Sequence, residues 1–391
     1  MDRTLSRLST LTFAASLLVA CGDGDSNGAM TGAGPDAGAG ADASTADASG
    51  DTGSVEAPLT VPEFGRDDTR QIRGVASASE GLSRPLDLAF NPEDPTTLWV
   101  ASQDNDSMLI VFDAEGSDPT FDLRQDEFRN HFMEEVAGFA FGANSTFASC
   151  HESRNTYDGQ APPNDFMGPA LWPSDLDIFA RVFQDPFGDL AGSHLDMLHE
   201  SPLCMGIAHY RDNIYFVNDG SEGDLVYYDF VEDHGPGEDY HSDGIVYRYP
   251  EIELTRVPGV PGHMEMDGDI LYIADTGGSR VLAVDVTSGE RGRSLFPFGE
   301  PLAEYAQYVN MDWSVFAEDT LDTPSGLAIH DGRLFVGDYA TGEIVAFDLE
   351  TREELGRLDT LSEELVGLEV SPNGELWFID AAFDEVLHVV P

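Results

Sequence analysis

Three short stretches hold the side chains best suited to chemistry. FASCHESRNTYDG, Phe147 to Gly159, places a thiol, an imidazole and a carboxylate in a row as Cys150-His151-Glu152. HESPLCMGIA supplies His199, Glu200 and Cys204, and VPGHMEM supplies His263. Imidazole with carboxylate suits zinc or copper, whereas oxygen donors alone suit calcium. No H-E-x-x-H motif is present, so a metal site has to be assembled from distant segments. The expected ligands are His151, His199 and His263, holding zinc or copper. Glu152 and Glu200 are the candidate catalytic bases beside that ion. Calcium on carboxylates is the alternative cofactor. Cys150 and Cys204 can act as thiolate ligands or join as a disulfide.

These residues sit on a repeated framework. A small or apolar start, a turn with Asp, Asn or Gly, a short strand ending near Asp and a strand ending in an apolar-Asp pair recur from about Gln71 onward. The clearest copy is PSGLAIHDGRLFVGDYATGEIVAFDLETRE, from Pro324. Others start at Arg84, Pro202, Pro261 and Leu365, and the most degenerate at Glu135. Strands recurring at spacings of roughly 40 residues or more point to a propeller.

The copies resemble NHL repeats, with their Pro-x-Gly-Ile-Ala start and Ala-Asp strand end. The resemblance implies an all-β, six-bladed β-propeller over residues 66–391. QIRGVAS, Gln71 to Ser77, is then the outer strand that closes the ring with the last blade, which removes an open sheet edge. In such a blade the start of strand A, the end of B and the start of C share one face. Cys150 is expected in the place that Asp219, Asp275, Asp338 and Asp380 take in other copies, with His151 one residue further out. His263 is expected where Gly326 stands in PSGLA, near the channel. The seven chemical residues would converge on the channel mouth from blades 2 to 4. The insertion 153–170 would form a lid or wall there. A second insertion, Val231 to Gly244, is expected on the opposite face, where His234, Asp239, His241 and Asp243 offer ligands for a cation but read first as a solvated acidic loop. The D-x-D of Asp104 and Asp106 lacks EF-hand spacing.

Composition narrows the chemistry. The chain has 391 residues and a net charge of −54, from 73 acidic and 19 basic residues. Every basic residue is arginine. Without lysine there is no Schiff-base amine and no P-loop. Nucleic acid is excluded as a partner for want of basic surface. Residues 1–20 carry Arg3 and Arg7 ahead of a short apolar run, as in a signal peptide. They run into LVAC, Leu18 to Cys21, which resembles a bacterial lipobox and implies a diacylglycerol on Cys21. Residues 21–65 are rich in Gly, Ala, Asp and Ser and read as a flexible tether. GDSNG, Gly24 to Gly28, fits an esterase pattern but has no strand and helix around it. The expected location is the bacterial envelope, anchored at the outer membrane or cell surface. In that oxidising compartment Cys150 and Cys204 favour a disulfide pinning two blades.

Two classes of function fit. One is a monomeric binding propeller that takes a metal ion and a small-molecule or peptide ligand, or a metal-free protein-binding scaffold. The other is a metal-dependent enzyme. The propeller is similar to that of peptidyl-hydroxyglycine α-amidating lyases, which implies a histidine-bound zinc, but that family's tyrosine and arginine find no match here. Lactonase-type propellers, with calcium on carboxylates, are a further enzymatic alternative.

Overall fold

The computed structural model describes residues 71–184, 188–238 and 240–390. The expected signal peptide, Cys21, the tether and Asp239 lie outside the described residues.

The fold is a six-bladed β-propeller, and its second strands show why. Ile214–Asp219, IYFVND, is buried along its whole length. Successive side chains of a strand point to opposite faces. Tyr215 and Val217 therefore pack toward blade 2 on Ala148 and Cys150, while Phe216 packs toward blade 4 on Leu271 and Ile273. Leu334 and Phe335 divide in the same way in blade 5. Strands buried on both sides read as near-continuous apolar runs. The core is accordingly six apolar layers, one between each pair of neighbouring blades. Each fully buried Leu, Val or Phe contributes about 1.5–3 kcal/mol.

Blade 1 consists of Pro85–Asn91, Asp94–Ser102, Ser107–Phe112 and Thr120–Arg124. In blade 2, Val136–Phe141, Thr146–His151 and Ala170–Pro173 are followed by a very short outer strand, Asp196–Met197. Blade 3 runs Ile207–Arg211, Ile214–Asp219, Asp224–Asp229 and Ile245–Glu253. Blade 6 takes its fourth strand from the start of the domain. Gln71–Ala76 pairs antiparallel with Glu385–Val390, with Gln71 opposite Val390, so the ring closes as the sequence predicts.

The repeated glycine and aspartate are structural. A Cβ at Gly326 would lie 2.0 Å from the carbonyl oxygen of Val366 in the next blade, so PSGLA requires its glycine. Asp338 accepts the backbone N–H groups of Asp322, Thr323 and Ala340. That ties the strand end to the incoming linker. The register corrects one expectation. His151 lies opposite Val136 as Asp338 lies opposite Pro324. His151, and not Cys150, therefore occupies the aspartate place. A one-residue step exchanges faces, so Cys150 joins the layer against blade 3.

A further insertion, between the third and fourth strands of blade 4, was not anticipated. It contains Glu290–Ser294 and Glu304–Val309, and the latter runs parallel to Ile245–Glu253, giving that sheet six strands.

Candidate metal centre at the rim

The short outer strand of blade 2 leaves a corner at the rim that loops fill. His199 follows that strand. Its Nδ1 lies 2.8 Å from Glu300 Oε2, in the blade 4 insertion. The backbone N–H of His199 donates to the other oxygen of Glu300. On the far side of the ring, Nε2 lies 3.4 Å from Nε2 of His131, which sits on the short helix Arg129–Phe132. His241 comes from the blade 3 insertion. Its Nε2 is 3.9 Å from Glu300 Oε2, and its Nδ1 is 3.1 Å from Asp196 Oδ1. Phe166, from the blade 2 insertion, stacks on His199 with ring centroids 3.7 Å apart.

One ligand atom each from His199, His241 and Glu300 falls within 4.8 Å of the others. Two imidazoles and a carboxylate form a donor set for zinc or copper. Asp196 beside Nδ1 of His241 orients that ring and leaves Nε2 toward Glu300, the usual supporting arrangement for a metal-binding histidine. Burial raises the Asp196 carboxyl, and His241 pulls it back down.

The expected trio His151, His199 and His263 does not meet. His151 is buried, with Nδ1 donating to Gly168 O at 3.1 Å and Nε2 accepting from Ser149 Oγ at 2.9 Å. Burial pushes its pKa down to about 3. The ring is neutral with both nitrogens occupied, so its part is to lock a strand end. His263 instead lines the channel, with Nδ1 3.6 Å from Asp87 Oδ1. Glu152 pairs with Arg256 and accepts from the N–H of Gly259, which leaves it a poor general base. Glu200 instead lines a cleft of about 800 Å³ with Arg248, Phe298 and Tyr305. Burial, aided by the Glu300 charge, pushes Glu200 up to about 7. The sulfurs of Cys150 and Cys204 are bonded across the blade 2–blade 3 layer, so neither is a free thiolate.

The two sequence-identified insertions also sit differently from expectation. Phe166 of the first packs on His199 at the rim, while the channel cavity is lined by the innermost strands and their approaches. The second does not stay on the opposite face. Gly237 N donates to His194 O, and His241 reaches Asp196, because the truncated outer strand of blade 2 leaves that edge open to it.

Sequence reasoning missed Glu300, His131 and Asp87. A signal existed for Glu300, because the stretch from Pro261 to Pro324 is half as long again as that from Pro324 to Leu365. Asp87 pairs with Ala101 just before Leu88 pairs with Val100, which is the glycine place of its blade. His263 fills the same place in blade 4, as its neighbour Met264 pairs with Ile273. Glu265 and Glu369 stand two residues beyond this place in their own blades. Burial and mutual repulsion, with Asp87 adding to it, raise Glu265 well above the carboxylate range. Glu369 is pushed up to about 8, chiefly by burial.

The class defined by these observations is a six-bladed propeller with a histidine-carboxylate centre on its rim. No family model and no curated protein matches the chain. Among solved structures it is similar to an auxiliary nutrient binding protein from Bacteroides thetaiotaomicron VPI-5482. Identity is 10%, over 79% of this chain and 69% of that one, with a TM-score of 0.50. A virginiamycin B lyase from Staphylococcus aureus has 10% identity over 82% of this chain and 99% of its own, with a TM-score of 0.45. A luciferin-regenerating enzyme has 12% identity over 82% of this chain and 95% of its own, also with a TM-score of 0.45.

Proposed function

We propose that this protein is a lipid-anchored, extracytoplasmic NHL-type propeller that binds a transition metal at the rim and a small-molecule or peptide ligand in the adjoining cleft. The observation that carries the reading is the approach of His199, His241 and Glu300 within 4.8 Å, with Asp196 behind His241. Their donor set selects zinc or copper over calcium. Calcium has its own candidate place among the channel carboxylates Asp87, Glu265 and Glu369. The binding role named for the Bacteroides structure is the one carried over here. The anchor rests on LVAC and Cys21 alone.

A second reading, a metal-dependent lyase or lactonase-type hydrolase, is favoured by Glu200. With a pKa near 7, it can take up or release a proton at neutral pH, and its sequence neighbour His199 belongs to the metal group. A metal there would supply Lewis acidity, while Glu200 would accept the substrate proton in the cleft.

The test is the metal content of the exported soluble domain, purified without chelators and after zinc or copper is added back. His199→Ala and His241→Ala should lose the ion, and His263→Ala should keep it. A wild-type domain that carries none and binds none refutes the metal reading. Cys21→Ser should abolish acyl labelling, and a labelled mutant would sink the anchor.

A further inference from the structure

The rim corner contains a second set of donors that the first ion does not use. Asp196 is fully buried. Its Oδ1 accepts from the N–H of Met197 and lies against Nδ1 of His241. Its Oδ2 has no hydrogen-bond partner among the described residues. A buried carboxylate oxygen without a partner costs free energy that a neighbouring cation would offset. Two further ligands stand beside it. His234 Nε2 lies 3.1 Å from Asp243 Oδ1, and one ligand atom each from Asp196, His234 and Asp243 falls within 4.8 Å of the others. His234 and Asp243 are only partly buried, so an ion has a route in from solvent.

We infer that Asp196, His234 and Asp243 bind a second divalent transition metal, making the rim centre binuclear with Asp196 between the two ions. Through Oδ1 Asp196 orients His241 for the first ion, and through Oδ2 it ligates the second. One nitrogen and two carboxylates form a harder donor set than that of the first site, so the second ion is the more weakly held and the more readily exchanged. The reason for the blade 3 insertion is then specific. It delivers His234 and Asp243 to one ion and His241 to the other.

The inference rests on the metal reading of the first site, and the experiment separates the two. Zinc is titrated into the demetallated soluble domain, and bound zinc per chain is counted after gel filtration at saturating metal. Two ions are expected in the wild type and one in His234→Ala. Asp243→Asn, which keeps shape and volume, should also give one, with an unchanged circular dichroism spectrum showing an intact fold. His199→Ala should lose the tighter ion first. One ion in the wild type, unaffected by His234→Ala or Asp243→Asn, overturns the second site and leaves the first standing. Two ions that survive both variants also overturn it. No bound zinc at all overturns both.

Discussion

The rim and the channel both combine imidazole with carboxylate, yet they are built in opposite ways. The channel groups stand at repeat positions. Asp87 and His263 replace the strand glycine, and Glu265 and Glu369 lie two residues on. Repeat symmetry points them at one axis, and three of the four carry like charge. The result is a place where carboxyls hold protons, with Glu369 pushed up to about 8. The rim groups come from the truncated outer strand of blade 2 and from loops and insertions around it, and they pair donor with acceptor, as in His199 with Glu300 and His241 with Asp196. Repetition concentrates charge, whereas insertion can place complementary ligands. This is why the metal reading attaches to the rim.

The comparison can be broken in several places. The largest effect is expected at the joint that carries the rim. Replacing Cys150 and Cys204 together by serine should cost about 4 kcal/mol in denaturant unfolding, from the entropy of the opened loop. The rim should then lose metal at lower denaturant than is needed to unfold the channel strands. Unfolding that matches the wild type would show that the bridge does not hold the joint.

Next comes the contrast between histidines. His199→Ala should weaken zinc binding by more than about a hundredfold, since even partners one step behind a metal contribute 10–100-fold. His263→Ala should leave the zinc affinity unchanged. Equal losses in both variants would merge the two regions into one site. A smaller effect belongs to Phe166, whose ring holds the face of His199. Phe166→Ala should weaken zinc by about tenfold, read by competition with a chromophoric chelator. An unaltered affinity would mean that the stack does not orient the ligand.

The smallest effect tests the channel. Glu369 and Glu265 bind protons more tightly folded than unfolded. Their favourable contribution is therefore complete below the ordinary glutamate value of 4.5 and is lost as pH rises through about 8. Glu369→Gln, which imitates the protonated form, should raise the melting temperature at about pH 9 by roughly 2 °C. At about pH 4 it should change nothing. Both side chains are only partly buried, so solvent screens their charges and keeps the shift small. A lowered melting temperature at the higher pH would place a bound cation there.

The blades were legible because their signal is local and repeated. The apolar run of IYFVND, the glycine of PSGLA and the terminal aspartates each report a constraint that recurs in most of the blades. The closing strand was legible because QIRGVAS is a strand with no blade of its own. The rim was only half legible. His199 stood out by its neighbours Glu200 and Cys204, but Glu300 lies about a hundred residues away in a stretch without repeat character, and no local rule joins them. The placing of His151 failed through register, because strand patterns fix a period more firmly than a phase. His241 was misplaced because blade geometry assigns loops to faces only where the outer strand is full length, and Asp196–Met197 is two residues long.

The bond between Cys150 and Cys204 also decides what a protease can do to this molecule. The chain it encloses includes Val182 and Leu190, both exposed apolar residues beside the outer hairpin of blade 2, and such loop tips are where proteases cut. A cut anywhere between the two cysteines yields two polypeptides that remain one covalent particle. Neither half can shed the other while the bridge is intact. On a non-reducing gel the nicked protein should run near its original size and separate only when thiol is added. Proteolytic damage would thus leave the blades in place, with one loop open, until a reductant completes the release.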